Sequence, residues 1–491
     1  MKKFLSLLLC AMMIMALVPA AVAEGDNYVH VIGRNLGYAR DDHNIILEEI
    51  EKRTGLDIHW ELWPTDGYAQ QCQLLFASGE YPDAMEVWWN SYPNQFIELI
   101  EDDVIKPLDD LLAEHAPNVL NVRPAASFYD YGDGQIWGVP SRNVNSGTFY
   151  CIAIRQDWLD KLGLPVPTCA QEYYDTLKAF QANAELLTGD PNAFCGHGSC
   201  TNYFYGSFVD YIFSEYGFHA GWNEVDGKMV RDLEMPGYKD AMAMIRKFYQ
   251  EGLIEPEFLL MNRDQFLDKF YTNAYGGWDY TVELLDPVTC DWTRNYIEAV
   301  PEAADNLTMI APFKDKNGQA HMPYVNQTMQ FVCFKDSERS ENVMKLLNFL
   351  ATEEGMLLTC FGLEGEHWVY DENGKPKSIV TDNEVKAELG IDSYSWAFRL
   401  NYYNVAMTSE LDDELAVLAA STVPNPVMPT TESYADNKTA IDDTYKAYRA
   451  DLICNADIDF DETYEKMVQE WNAVGGADWT KEINEYWASR K

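Results

Sequence analysis

The sequence is expected to fold as an α/β protein of two lobes, each a mostly parallel sheet flanked by helices, with extra C-terminal helices. Three observations lead there. At 491 residues the chain exceeds one ordinary hydrophobic core, and its 47% hydrophobic residues supply material for two. From Tyr28 to Ile100 strand-like and helix-like segments alternate, as parallel sheets with helical crossovers require. Between two later strand candidates lies a polar joint, Ser141-Arg142-Asn143-Val144-Asn145-Ser146-Gly147, followed by a new βα unit. A joint of that kind is what a crossing between two lobes looks like.

Taken in order, Tyr28 to Ile32 is strand-like and Gly33 to Gly37 reads as a loop. The helix of about Asp42 to Arg53 carries Ile45, Ile46, Leu47 and Ile50 on one face and stops at Gly55. Leu56 to Leu62 is a strand, Tyr68 to Ser78 a helix, Ala84 to Val87 a strand, and Pro93 to Ile100 a helix. Ligands of such sheets meet the loops at the carboxyl ends of strands, here Gly33–Gly37 and Trp88–Tyr92. Ile136, Trp137 and Val139 are strand formers ended by Pro140, with a turn at Asp133-Gly134. Tyr150 to Ile154 is a buried strand, and Gln156 to Leu162 a helix stopped by Gly163 and Pro165. Helices follow at Cys169–Asn183, Tyr238–Gln250 and Arg263–Tyr271, and a strand runs from Ala274 into a glycine-loosened turn. Leu307–Ile310 and Met329–Phe334 are strands, with a return crossing between them, and Ser340-Glu341 caps a helix through Leu350. The expected lobes are 24–147 with 327–375, and 148–326 with 376–491.

Charge and termini narrow the function class. The net charge of -43, from 36 Lys+Arg against 79 Asp+Glu, repels phosphate backbones and anionic membranes. No nucleic-acid partner is expected. Lys2 and Lys3, the apolar run Phe4 to Val18, and Ala21-Val22-Ala23 read as a signal peptide cleaved after Ala23, leaving an exported, soluble chain. Leu7-Leu8-Leu9-Cys10-Ala11 superficially resembles a lipobox, which would anchor Cys10, but little apolar sequence precedes it. Most of the 10 cysteines stand alone on apolar stretches. In CGHGSC, Cys195 and Cys200 leave three readings open: buried thiols, a local disulfide, or a metal pair with His197.

Two stretches carry a family resemblance. The order Trp137-Gly138-x-Pro140, a polar joint, an apolar strand and Arg155-x-Asp157-Trp158-Leu159-Asp160-Lys161-Leu162-Gly163-Leu164-x-x-Pro167-Thr168 is one; Lys345 to Lys375 is the second. Trp471 to Trp487 is a weaker third. Together they resemble bacterial extracellular solute-binding proteins of ABC importers, of the oligosaccharide-binding kind with the type 2 periplasmic-binding-protein fold. The resemblance implies a monomer that holds a small-molecule ligand between its lobes and hands it to permease subunits, with no cofactor and no catalysis. Some relatives place a calcium loop near Gly189-Asp190-Pro191-Asn192. This chain continues Ala193-Phe194-Cys195, too poor in carboxylates for six to eight oxygen ligands, so no metal site is carried over.

Sugars present apolar C–H faces and rings of hydroxyls, so their sites need flat aromatics beside carboxylates, amides and Arg. The chain is 13% aromatic, with 14 Trp and 30 Tyr, and most of these are expected in cores. Location raises some above that background. Trp88-Trp89-Asn90 ends a strand, where adjacent side chains point opposite ways and one leaves the core. The resemblance implies ligand contacts from Arg34 and Asn35 on the first loop, and stacking from Trp278 beside Asp279. Arg142, Asn143 and Asn145 lie on the joint; Trp137 reads as cleft residue or packed aromatic beneath it. Tyr203, Trp396 and Arg399 complete the candidate set. A secreted glycoside hydrolase or lyase is the rival class, needing two carboxylates at a set separation, and pairs such as Asp102-Asp103 arise by chance at this acidity. No GxSxG, HExxH, P-loop or dinucleotide fingerprint is present. A peptide- or amino-acid-binding receptor of the same fold is the third reading.

Overall fold

Two separate sheets organise the chain. The structure, a computed structural model, describes residues 25–35, 44–64, 67–88, 93–122, 134–140, 150–200, 204, 207–285, 291–303, 306–323, 329–372, 374–394, 411–423, 428–429 and 431–489. The first sheet holds β1 (Tyr28–Asn35), β2 (Asp57–Pro64), β3 (Ala84–Trp88), β4 (Val139–Pro140) and β12 (Met329–Cys333), in the order β2-β1-β3-β12-β4. The second holds β5 (Tyr150–Arg155), β6 (His197–Gly198), β9 (Gly277–Thr281) and β10 (Leu307–Ile310), in the order β10-β5-β9-β6. A hairpin of β7 (Trp222–Val225) and β8 (Lys228–Arg231) and the short β11 (Met322–Pro323), paired with Thr422–Val423, lie outside both.

Both sheets are mixed, where mostly parallel sheets were expected. β1 pairs in parallel with β2 and β3, but β12 is antiparallel to both β3 and β4. β5 is antiparallel to β9 and β10, while β6 and β9 run in parallel. The reversed strands share a cause. β5 and β12 are the first strands after each crossing, so no helix has carried the chain back to the far end of the sheet.

Apolar side chains fill both faces of each sheet. Val29, Val31, Ile58 and Trp60 pack under the helices Ile45–Thr54 and Ser340–Leu350, while Ile32, Met85 and Val87 meet Tyr68, Phe96 and Leu99 opposite. Around the second sheet, Ile152 and Ile154 join a large cluster that the helices Tyr238–Gln250, Glu432–Cys454, Phe460–Trp471 and Ala477–Ser489 extend. The C-terminal helices therefore belong with the second sheet's cluster, packed on the helix Tyr238–Gln250 and on the β7–β8 hairpin. The segment 383–394 does not, although 376–491 was expected to belong there. Ile391 and Tyr394 are buried in the first sheet's core, where Asn44 Nδ2 donates to the Tyr394 hydroxyl at 2.6 Å. Among the described residues no helix is long and apolar enough to cross a membrane.

Local chemistry explains several boundaries. Gly163 ends its helix at φ 65°, and its N–H reaches the carbonyls of Asp160 and Leu159, a left-handed cap that only glycine adopts without strain. Gly138 is needed for space, since a Cβ there would stand 2.9 Å from Gln330 Cβ across the β4–β12 pair.

Candidate functional site

Strand register brings a defined set of positions to one end of each sheet. Asn35 ends β1 beside Pro64 of β2, Trp88 ends β3 opposite Met329, and Pro140 ends β4 opposite Gln330. In the second sheet Tyr150, at the start of β5, lies opposite Thr281, at the end of β9. The chain runs from Pro140 to Tyr150 through 141–149, and from Pro323 to Met329 through 324–328. Both crossings thus meet the same end of the first sheet, one running on to β5 and the other arriving from β11. That end is also the carboxyl end of β1, β2, β3 and β4, where open α/β sheets receive ligands.

The candidates divide into four groups. Asn35 and Trp88 close strands at this end, and the backbone of each is paired in the sheet. Trp137 is half-buried against the core beneath β3 and β12, close to the packed-aromatic reading. Trp89, Asn90, Arg142, Asn143, Asn145, Tyr203, Trp396 and Arg399 lie outside the described residues.

Arg34, Trp278 and Asp279 are corrected. Arg34 belongs to β1 rather than to a loop; its N–H donates to Glu86 Oε2 at 3.0 Å and its side chain is 5% exposed. Trp278 is 0% exposed. In β9 it pairs with Ala153 of β5, and its ring meets those of Phe270 at 4.9 Å and Tyr296 at 5.6 Å, edge to face. No ring face is left for a sugar. Asp279 points to the other side of β9 and is equally buried. Ser199 Oγ donates to its Oδ1 at 3.0 Å, His197 Nε2 lies 3.3 Å from Oδ2, and the Tyr173 hydroxyl is 2.7 Å from His197 Nδ1. This chain of polar atoms satisfies buried groups inside the second lobe.

The same network decides CGHGSC. His197 is committed to Tyr173 and Asp279, which removes the metal reading. Cys195 packs with Ile152 and Tyr173, whereas Cys200 packs with Ala153 and Trp278 on the opposite face of the sheet, and both are thiols. Burial pushes the Cys195 thiol up to about 11, which makes it inert at neutral pH. Asp190 turns on itself: its Oδ1 accepts from Asn192 N–H at 2.9 Å.

The sequence reading missed one cluster altogether. His30, His59 and Glu61 offer ligand atoms that all lie within 4.8 Å of one another. His30 and His59 stand far apart in the chain, and only the β1–β2 register makes them neighbours. The available signal was parity: each His alternates with buried apolar residues on its strand.

Residues 42–357 match the family model described as bacterial extracellular solute-binding protein. The chain belongs to that family. The lipoprotein LipO of Bacillus subtilis (strain 168) is 22% identical over 474 residues, spanning 92% of this chain and 90% of LipO. The polygalacturonan/rhamnogalacturonan-binding protein YtcQ of the same organism is 24% identical, spanning 91% and 88%. The fructooligosaccharide ABC transporter substrate-binding protein FusA of Streptococcus pneumoniae is 26% identical over 58% of this chain and 52% of its own length. Among solved structures, an extracellular solute-binding protein of Bifidobacterium longum subsp. infantis superposes with a TM-score of 0.71 at 17% identity, covering 96% of this chain and all (100%) of that one. FusA in complex with kestose gives 0.64 at 18%, covering 94% and 99%. These likenesses fix the two-lobed α/β fold.

Within this solute-binding protein the motif that opens the second lobe serves the scaffold. Arg155 is buried, and its Nε and Nη2 donate to Asp157 Oδ1 and Oδ2, each at 2.7 Å, while Nη1 reaches the Tyr296 hydroxyl at 3.1 Å. Its guanidinium also lies 4.9 Å from the Trp158 ring centre. A bidentate pair plus a ring contact holds β5 to its following helix.

Proposed function

We propose that this chain is the substrate-binding component of an ABC importer and that it captures an oligosaccharide between the facing ends of its two sheets. The observation that supports the reading is the pair of crossings, both of which meet the first sheet at the carboxyl end of β1 to β4. FusA and YtcQ, both named for binding oligo- or polysaccharides, support the ligand class. The contacts come from Asn35, Trp88, Trp89 and Asn90 on the first lobe, from Arg142, Asn143 and Asn145 on the crossing, and from Tyr203, Trp396 and Arg399. Aromatic rings stack on sugar C–H faces, and the amides and guanidinium groups bind hydroxyls in pairs. Residues 24–147 and 327–394 form one lobe, since Pro376–Ser378 pairs with Trp368–Tyr370 and Ile391 and Tyr394 join the first sheet's core, and the rest of the mature chain forms the other. The protein works as a monomer, hands its ligand to permease subunits and performs no reaction on it.

A thermal-shift and calorimetric screen tests this, using fructo-oligosaccharides, galacturonan oligomers and mixed short peptides. One oligosaccharide class should bind one to one and be recovered uncleaved. Binding of peptides alone would make the chain a peptide receptor, and released shorter sugars would make it an enzyme. Export has its own test. Cleavage after Ala23 leaves a mature chain beginning at Glu24, so the intact mass of the secreted protein should match it without addition. A diacylglycerol adduct on Cys10 would overturn that reading.

A further inference from the structure

On the outer part of the first sheet two histidines and a carboxylate converge where no ligand-binding or core role claims them. His30 of β1 and His59 of β2 are register partners, and Glu61 lies two residues past His59, on the same face of the edge strand. Glu61 Oε1 stands 2.7 Å from His30 Nε2 and 3.5 Å from His59 Nε2. The two rings lie side by side, centres 4.8 Å apart. The other carboxylate oxygen is held from behind: Trp63 Nε1 donates to Glu61 Oε2 at 3.0 Å. The side chains are 27%, 44% and 37% exposed for His30, His59 and Glu61, so the cluster is shaped by the sheet yet open to solution.

We propose that His30, His59 and Glu61 form a site for a zinc-class divalent ion. Two imidazoles and one carboxylate are the donor set for such an ion, with a fourth position left to water. Tetrahedral ligands about 2.0–2.1 Å from zinc stand roughly 3.3 Å from one another. The His59–Glu61 separation is close to that already, the His30–Glu61 hydrogen bond must open by about half an ångström to admit the ion, and the two imidazoles, whose ligand atoms lie within 4.8 Å of each other, must turn toward it. Trp63 supplies the outer hydrogen bond that orients a ligating carboxylate. One carboxylate is far too few for calcium, which takes six to eight oxygens. The site lies five residues before Asn35, about 16 Å of strand from the proposed sugar contacts. It would pin the edge strand β2 to β1.

The histidines must be unprotonated to ligate, so binding releases protons and weakens as the pH falls. The test is calorimetric titration of ZnCl2 into the whole mature chain after chelator treatment, in two buffers of different protonation enthalpy, beside thermal melts. Zinc should bind one to one with proton release and raise the melting temperature, while Ca2+ and Mg2+ do neither. His30→Ala and His59→Gln should each lower the affinity at least tenfold, and Trp63→Phe roughly tenfold. Circular dichroism of the variants reports their folding, and His59, the most exposed of the three, is the substitution least able to disturb it. No stoichiometric zinc binding by the wild type, or unchanged affinity in folded His59→Gln, overturns the proposal and leaves an ordinary His30–Glu61 pair.

Discussion

Asp210 is 4% exposed, and burial, the largest influence on it, pushes its carboxyl up to about 7 against the pull of the Ala220 N–H, 3.1 Å from Oδ1, and of Arg449. The folded chain thus keeps a proton that an unfolded aspartate gives up near pH 3.9, about the ordinary value. The stability this group contributes is fully present below about pH 4 and is lost as the pH rises through about 7. Asp210→Asn keeps the acceptor for Ala220 and removes the titration, so its melting temperature should vary less between pH 4 and 7 than the wild type's, by about the share this one group carries. Parallel slopes for the two proteins would show that Asp210 is ionised in the fold. Trp278 yields a second expectation at this scale. Removing its buried ring should cost roughly 3–5 kcal/mol of stability. Ligand affinity in whatever remains folded should be normal, as thermal melts beside calorimetry will show. Trp89→Ala should do the reverse, lowering affinity ten- to a hundredfold, about 1–3 kcal/mol, with little change in melting.

At the scale of elements, the helix Gln156–Leu162 is set by its ends: the Arg155–Asp157 pair anchors its start and Gly163 its stop. Gly163→Ala forces a Cβ into the left-handed region and should cost about 1–2 kcal/mol, read as a lower denaturation midpoint at unchanged ligand affinity. Such boundaries were legible because they depend on near neighbours. Tyr68–Ser78, Gln156–Leu162 and Tyr238–Gln250 emerge with the bounds that periodicity and punctuation set. What depends on pairing was not legible. The resemblance carried a stacking role onto Trp278, and the period-2 pattern alone cannot tell which face of β9 meets the helices Arg263–Phe270 and Asp291–Ala299, so nothing local revealed that Trp278 belongs to the core. Gly276 and Gly277, read as a loosened turn, are close-approach positions: a Cβ on the first would strike Phe180 and one on the second the Tyr173 hydroxyl. The segment 383–394 carries no local mark of the core it joins, and the contacts of Ile391 and Tyr394 with it are long in sequence. The candidate site was legible only in part: Asn35, expected on the loop 33–37, is instead the last residue of β1, and Trp88 ends β3, while the ligand contacts themselves rest on residue chemistry.

At the scale of the molecule, the sheets are joined by more than the two crossings. Cys151 and Val282 of the second lobe share a cluster with Met356, Leu357, Cys360 and Phe361 of the helix Glu353–Phe361, and with Leu411 and Leu418. Leu358 of that same helix faces the first sheet's core. This helix therefore touches both lobes, and any change in their relative angle must be taken up by sliding within the Cys151–Leu418 cluster or by the crossings. An oligosaccharide that contacts both lobes can do so fully only when they are closed, and it shifts the population by that difference in affinity. Small-angle X-ray scattering of the mature chain, with and without a saturating oligosaccharide identified by the screen, reads this motion directly. Capture between the lobes predicts a smaller radius of gyration with ligand bound and a matching change in the longest dimension. Identical scattering curves at proven saturation would contradict it.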